Sequence, residues 1–113
     1  MQLTEEYEAN LVAFIRDLRK KFNSPKMPFV VANSGFGGWE QKIDRRLKII
    51  ESQAAPAKYD DMKDTFRCVE TRGCFRPREV SPSGQGYHWF HNAETHFLIG
   101  DGMGKAMVEL LEK

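Results

Sequence analysis

All three histidines of the chain, His88, His91 and His96, fall in the run Gly86-Tyr87-His88-Trp89-Phe90-His91-Asn92-Ala93-Glu94-Thr95-His96. An imidazole at a loop-to-helix junction can face a cleft while its backbone is held. It can then take a proton from a serine hydroxyl near neutral pH. His88 and His91 are spaced i, i+3, with Glu94 and His96 close by, which raises metal ligation. No H-E-x-x-H or Cys/His framework accompanies them, so no metal is expected. Tyr87, Trp89 and Phe90 would either stack on a sugar ring or join the core beside a helix start.

Other residues carry weaker chemistry. Arg72, Arg76 and Arg78 could bind an anion, but a solvated basic loop explains them more simply. The turn Gly35-Phe36-Gly37-Gly38 lacks both the Walker lysine and the G-x-G-x-x-G spacing, which argues against a nucleotide cradle. Ser34 precedes that glycine run and superficially resembles a nucleophile turn, without the pattern of a G-x-S-x-G elbow. Cys68 and Cys74 fit neither a metal-type C-x-x-C pair nor a disulfide framework, and read as free thiols.

The elements that must position these residues alternate. Tyr7, Leu11, Phe14, Leu18 and Phe22 recur at steps of three and four and predict a first helix. Thr4 is its expected N-cap, and Asn23-Ser24-Pro25 its end. Its basic cluster, Arg16 to Lys21, reads as a solvated face. Met27 to Asn33 is apolar at its centre without alternation, as in a parallel strand covered on both faces. Its glycine-rich turn should lie beneath the site, because open α/β sheets place sites at the carboxyl ends of their strands. A second helix is expected from about Trp39 to Ala55, with Ile43, Leu47 and Ile50 inward. Thr65 to Thr71 is a second strand, and residues 72–86 a long loop. A last helix should run from near Asn92 to about Leu111, with Phe97, Met103 or Gly104, Met107 and Leu110 on one face. Gly100, Gly102 and Gly104 would let it pack closely on a sheet. Helix, strand, helix, strand, loop, helix argues for α/β with a parallel sheet.

The totals bound the rest. The 113 residues, 41% hydrophobic and 12% aromatic, suffice for one domain with a core. A net charge of +1 gives no electrostatic case for nucleic acid. No apolar run approaches the ~20 residues of a membrane span. Met1 to Asn10 is acidic and polar, unlike a signal peptide.

The stretch Tyr87 to Gly100 resembles the last motif of the sialate O-acetylesterase-like branch of the SGNH hydrolases, related to carbohydrate esterase family six. Tyr7 to Phe22, Pro28-Phe29-Val30-Val31-Ala32, Ala54-Ala55-Pro56 and Arg67 to Gly73 resemble earlier blocks of that domain, in the same order. The resemblance implies a single partial domain over residues 1–113: the carboxy-terminal part of a flavodoxin-like three-layer α/β/α sandwich with parallel strands. It implies removal of acetyl groups from carbohydrate through an acyl-serine intermediate, with no cofactor. For a full-length relative it also leaves room for a periplasmic or secreted location.

His91 matches the family's D-x-x-H histidine, and His88 stands where the family has the aspartate. Glu70 or Glu94 would then be the substitute acid, unless His91 works without one. Trp89 and Tyr87 would meet the sugar. The family's Gly-x-Ser and oxyanion-hole blocks have no counterpart here. Two readings follow. One is an acetylesterase, or a piece of one, completed by an amino-terminal segment or second chain. The other is a non-catalytic, self-associating module that binds carbohydrate or a partner.

Overall fold

The computed structural model describes residues 2–113; Met1, at the head of the acidic amino-terminal stretch, lies outside them. The chain is α/β. Its helices are α1 (Gln2–Glu5), α2 (Tyr7–Lys21), α3 (Asp44–Ala54) and α4 (Ala93–Leu111). Its strands are β1 (Phe29–Ala32) and β2 (Phe66–Val69), which pair in parallel with Phe29 opposite Phe66 and Ala32 opposite Val69. Short 3-10 turns fill much of the connecting chain.

The first helix differs from the sequence expectation. It breaks at Glu6, and Thr4 sits buried inside α1 instead of capping a longer helix. The buried face of α2 is Val12, Ile15 and Arg19, one position along from the expected stripe, and Phe14 and Phe22 are exposed. Both stripes have helical spacing, so periodicity alone could not choose between them. The choice falls to what the strands present. Val12 and Ile15 join Met62 and Phe66 in the core, with Leu11, Phe29, Val31, Tyr59 and Cys68 packed around them.

Arg19 also departs from the solvated face expected of its cluster. It is 5% exposed. Its Nε and Nη2 donate to the Met27 carbonyl, its Nη1 to the Asp61 carbonyl, and its Nη2 to Thr65 Oγ1 at 2.7 Å. Met27 precedes β1 and Thr65 precedes β2, so one guanidinium ties the amino ends of both strands to α2. Its planar fork suits three separate acceptors.

Trp39 lies in a 3-10 turn (Gly38–Glu40), and α3 begins only at Asp44. Of its expected stripe, Ile50 is buried, Leu47 half-buried and Ile43 exposed. Helix α4 starts where expected, with the Asn92 side chain accepting from the Thr95 N–H. Leu110 is buried, but Phe97 is exposed. The packing role of the glycines holds at one position. A Cβ on Gly102 would sit 3.0 Å from Val69 Cγ1, whereas Gly100 and Gly104 face open space. Alternation along β2 sends Phe66 and Cys68 to the face covered by α2, and Val69 to the face covered by α4.

Candidate functional site at the carboxyl ends of the strands

The backbone leaving β1 and β2 is knotted together. The Thr71 N–H donates to Asn33 Oδ1 at 2.9 Å, the Thr71 hydroxyl donates to Asn33, and the Gly35 N–H donates to Thr71 Oγ1 at 3.1 Å. Both Asn33 and Thr71 are buried. A Cβ on Gly35 would collide with Thr71 Oγ1 and the backbone beyond it. Glycine is therefore required by close approach.

Glu70 joins the knot through Asn33 Nδ2 and through Arg72, whose guanidinium lies 4.3 Å over the Trp39 ring. The Arg72 bonds, with help from Asn33, hold the Glu70 carboxyl down at about 2. Burial pushes the Cys68 thiol in the other direction, up to about 11. Both cysteines are free.

Phe36, from the β1 turn, links this knot to the histidine loop. Its ring meets Phe75, Trp89 and Phe90 edge-on, with centroids 5.3, 5.9 and 5.5 Å away. Arg76 clasps Glu94, Thr95 Oγ1 donates to the Cys74 carbonyl, and Asn92 Nδ2 donates to Ser81 Oγ. These bonds seat the start of α4 against the loop. They also revise the solvated basic loop: Arg72 and Arg76 are paired with carboxylates, and Arg78 donates to the Ser81 carbonyl.

Within Gly86–His91 the backbone is strained. Trp89, Phe90 and His91 have φ of 53, 55 and 56°, three successive non-glycine residues in the left-handed region. Each costs on the order of 1 kcal/mol or more. The Gln85 carbonyl accepts from both the His88 and Phe90 N–H, and the Ser83 N–H donates to the Phe90 carbonyl. This closure brings Ser83 Oγ within 2.8 Å of His91 Nδ1. Ser83 carried no recognisable motif. The only signal in the sequence was its place eight residues before His91, in a loop rich in Gly and Ser.

The expected site residues come together unequally. The His88 and His91 rings stack 5.4 Å apart at 8°, a face-to-face contact in place of an orienting hydrogen bond. Glu70 bonds Arg72 and Asn33, and Glu94 bonds Arg76; among the described residues neither carboxylate is hydrogen-bonded to His91. Trp89 is half-buried among aromatics, whereas Tyr87 is 86% exposed. Tyr87 lines a cavity of about 260 Å³ with Ser34, Phe36, Arg46 and Ile49. Ser34 Oγ accepts from Gln53 Nε2 and, among the described residues, is hydrogen-bonded to no histidine. His96 is exposed on α4. Among the described residues no group of three His, Cys, Asp or Glu side chains is placed to hold a metal ion.

No protein-family model, curated protein or solved structure matches the chain.

Proposed function

We infer that the chain is a carbohydrate O-acetyl ester hydrolase, or the carboxy-terminal piece of one, with His91 as general base. On this reading the two strands belong to a flavodoxin-like three-layer sandwich. The observation that carries the proposal is the 2.8 Å contact between His91 Nδ1 and a serine hydroxyl. A general base must lie within about 2.6–3.2 Å of the proton it takes. The backbone strain gathered at Trp89, Phe90 and His91 supports a constrained functional position. So does the link through Phe36 to the carboxyl end of β1.

His91 takes the serine proton as the oxygen attacks the acetyl carbonyl, then returns it to the departing sugar oxygen. With no carboxylate on the ring, the imidazolium that forms is stabilised less than in a Ser-His-Asp triad. This favours a slow enzyme. The exposed Tyr87 ring at the cavity mouth offers a face for a sugar, and Trp89 supports the loop behind it. The test is acetate release from an O-acetylated sugar. His91→Ala should slow it by about 10²-fold or more; equal rates for the two proteins would remove the proposal.

A second reading, self-association, is favoured by the sheet. The Phe29 and Asn33 N–H groups point at β2, so those of Val30 and Ala32 point away from it, and they make no hydrogen bond among the described residues. All four β1 residues are half-exposed. The chain exposes 7473 Å², against roughly 6,300 Å² for a compact monomer of this mass. The excess is of the order that one partner buries in a standard interface. Two β1 edges could pair across a two-fold axis, Val30 opposite Ala32 of the second copy. Sedimentation at micromolar concentration should then give a dimer, and a monomer would exclude this reading.

A further inference from the structure

Ser83 is held as a nucleophile would be. Its N–H is tied to the Phe90 carbonyl, and its Oγ accepts from the Gln85 N–H at 3.1 Å. His91 Nδ1 lies 2.8 Å from the same oxygen, where it accepts the Ser83 proton when the ring carries its own proton on Nε2. Among the described residues no other serine hydroxyl bonds a histidine. The next residue, Gly84, has a backbone N–H that makes no hydrogen bond among the described residues. The N–H following a nucleophile is a common oxyanion donor. Arg78 lies alongside, its Nε 3.4 Å from where a Gly84 Cβ would sit. Ser83 is half-buried and His91 exposed, so an ester can reach both.

We propose that Ser83 is the nucleophile of an acetyl-ester hydrolase built within this loop, with His91 as base and the Gly84 N–H and Arg78 guanidinium as oxyanion donors. The inference rests on the esterase reading above and supplies the serine for which no Gly-x-Ser block is present. In the first half-reaction the Ser83 proton passes to His91 Nδ1. A bond forms between Ser83 Oγ and the acetyl carbon, and the ester bond to the sugar oxygen breaks. His91 gives its proton to that oxygen. In the second, water attacks the acetyl carbon of acetyl-Ser83 and loses a proton to His91. Acetic acid leaves and gives its remaining proton to solvent, and His91 returns its proton to Ser83 Oγ.

The left-handed run fits this role. It turns His91 back over Ser83, which a helical continuation from Gly86 would not do. Because the base acts through Nδ1, the role requires the tautomer in which Nδ1 accepts and Nε2 carries the proton in the resting state.

The experiment treats the whole chain with p-nitrophenyl acetate. It reads p-nitrophenolate release and locates bound acetyl by peptide mass spectrometry, with circular dichroism confirming the fold of each variant. The expected result is an initial burst approaching one equivalent per chain, with acetyl on Ser83. His91→Ala should lower both by about 10²-fold or more, and Arg78→Met the rate by about tenfold or more. Ser83→Ala should abolish the burst. If Ser83→Ala keeps a rate that His91→Ala removes, Ser83 is overturned and His91 stands as base for another nucleophile. Rates unchanged in both variants, or no release above background from the folded chain, overturn Ser83 and His91 together as a working pair in this chain.

Discussion

Replacing Arg19 with methionine should be among the most damaging single changes away from the candidate site. Methionine keeps much of the stem volume but removes all four hydrogen bonds. The Met27 carbonyl loses two donors, at 3.1 and 2.9 Å, the Asp61 carbonyl one at 2.9 Å, and Thr65 Oγ1 one at 2.7 Å. A hydrogen bond to a charged group contributes about 1.5–3 kcal/mol net. The bonds share one guanidinium and are not additive, and its burial cost, which also lowers its pKa, is recovered in the variant. Water can reach some of the freed acceptors. The expected loss is therefore about 3 kcal/mol rather than the sum.

For a chain of this length that is a large share of roughly 5–15 kcal/mol, and lowers the melting temperature by roughly 10 °C. Urea unfolding followed by far-ultraviolet circular dichroism reads it as a lower midpoint with an unchanged slope. Arg19→Lys separates charge from geometry. A point ammonium cannot serve three spread acceptors, so lysine should recover less than half of the loss. A methionine variant within about 0.5 kcal/mol of wild type would refute the claim that this guanidinium ties the strands to α2.

Two further outcomes follow from the knot at the other end of the sheet. Gly35→Ala forces a methyl group against Thr71 and its backbone, and should destabilise by about 1–3 kcal/mol, again read from urea midpoints. The Glu70 carboxyl, held at about 2 by Arg72 and Asn33, should stabilise the fold fully above the ordinary glutamate range. That contribution should disappear as pH falls from about 4.5 through about 2. Glu70→Gln should flatten this part of the acid limb of stability against pH. An unchanged limb would mean that Glu70 is not held as its bonds indicate.

Element types were more legible in the sequence than element surroundings. The apolar, non-alternating Phe29–Ala32 and the run Phe66–Val69 announced parallel strands, and Asn92 announced the start of α4, because these signals are local. The inward face of α2 was misplaced by one position, since Tyr7-Leu11-Phe14-Leu18 and Val12-Ile15-Arg19 are both periodic. Only the docked strands distinguish them. A buried arginine is likewise invisible until its three acceptors, from distant parts of the chain, are assembled around it.

At the site, the histidine run marked the loop, but not its conformation. Nothing in Trp89-Phe90-His91 signals three left-handed residues, which are favoured in glycine and asparagine and here are imposed by the closure between Ser83, Gln85 and Phe90. The contact between Ser83 and His91 depends on that closure. Glu70 and Glu94 were eligible as acids by sequence proximity, but the bonds the fold gives them are to arginines and not to His91.

The most direct test of the central claim is acetate release from an O-acetylated sugar by the purified chain beside its His91→Ala variant, both confirmed as folded. The ester-hydrolase account predicts a rate above the uncatalysed reaction that falls by about 10²-fold or more in the variant. Equal rates in the two proteins would contradict it.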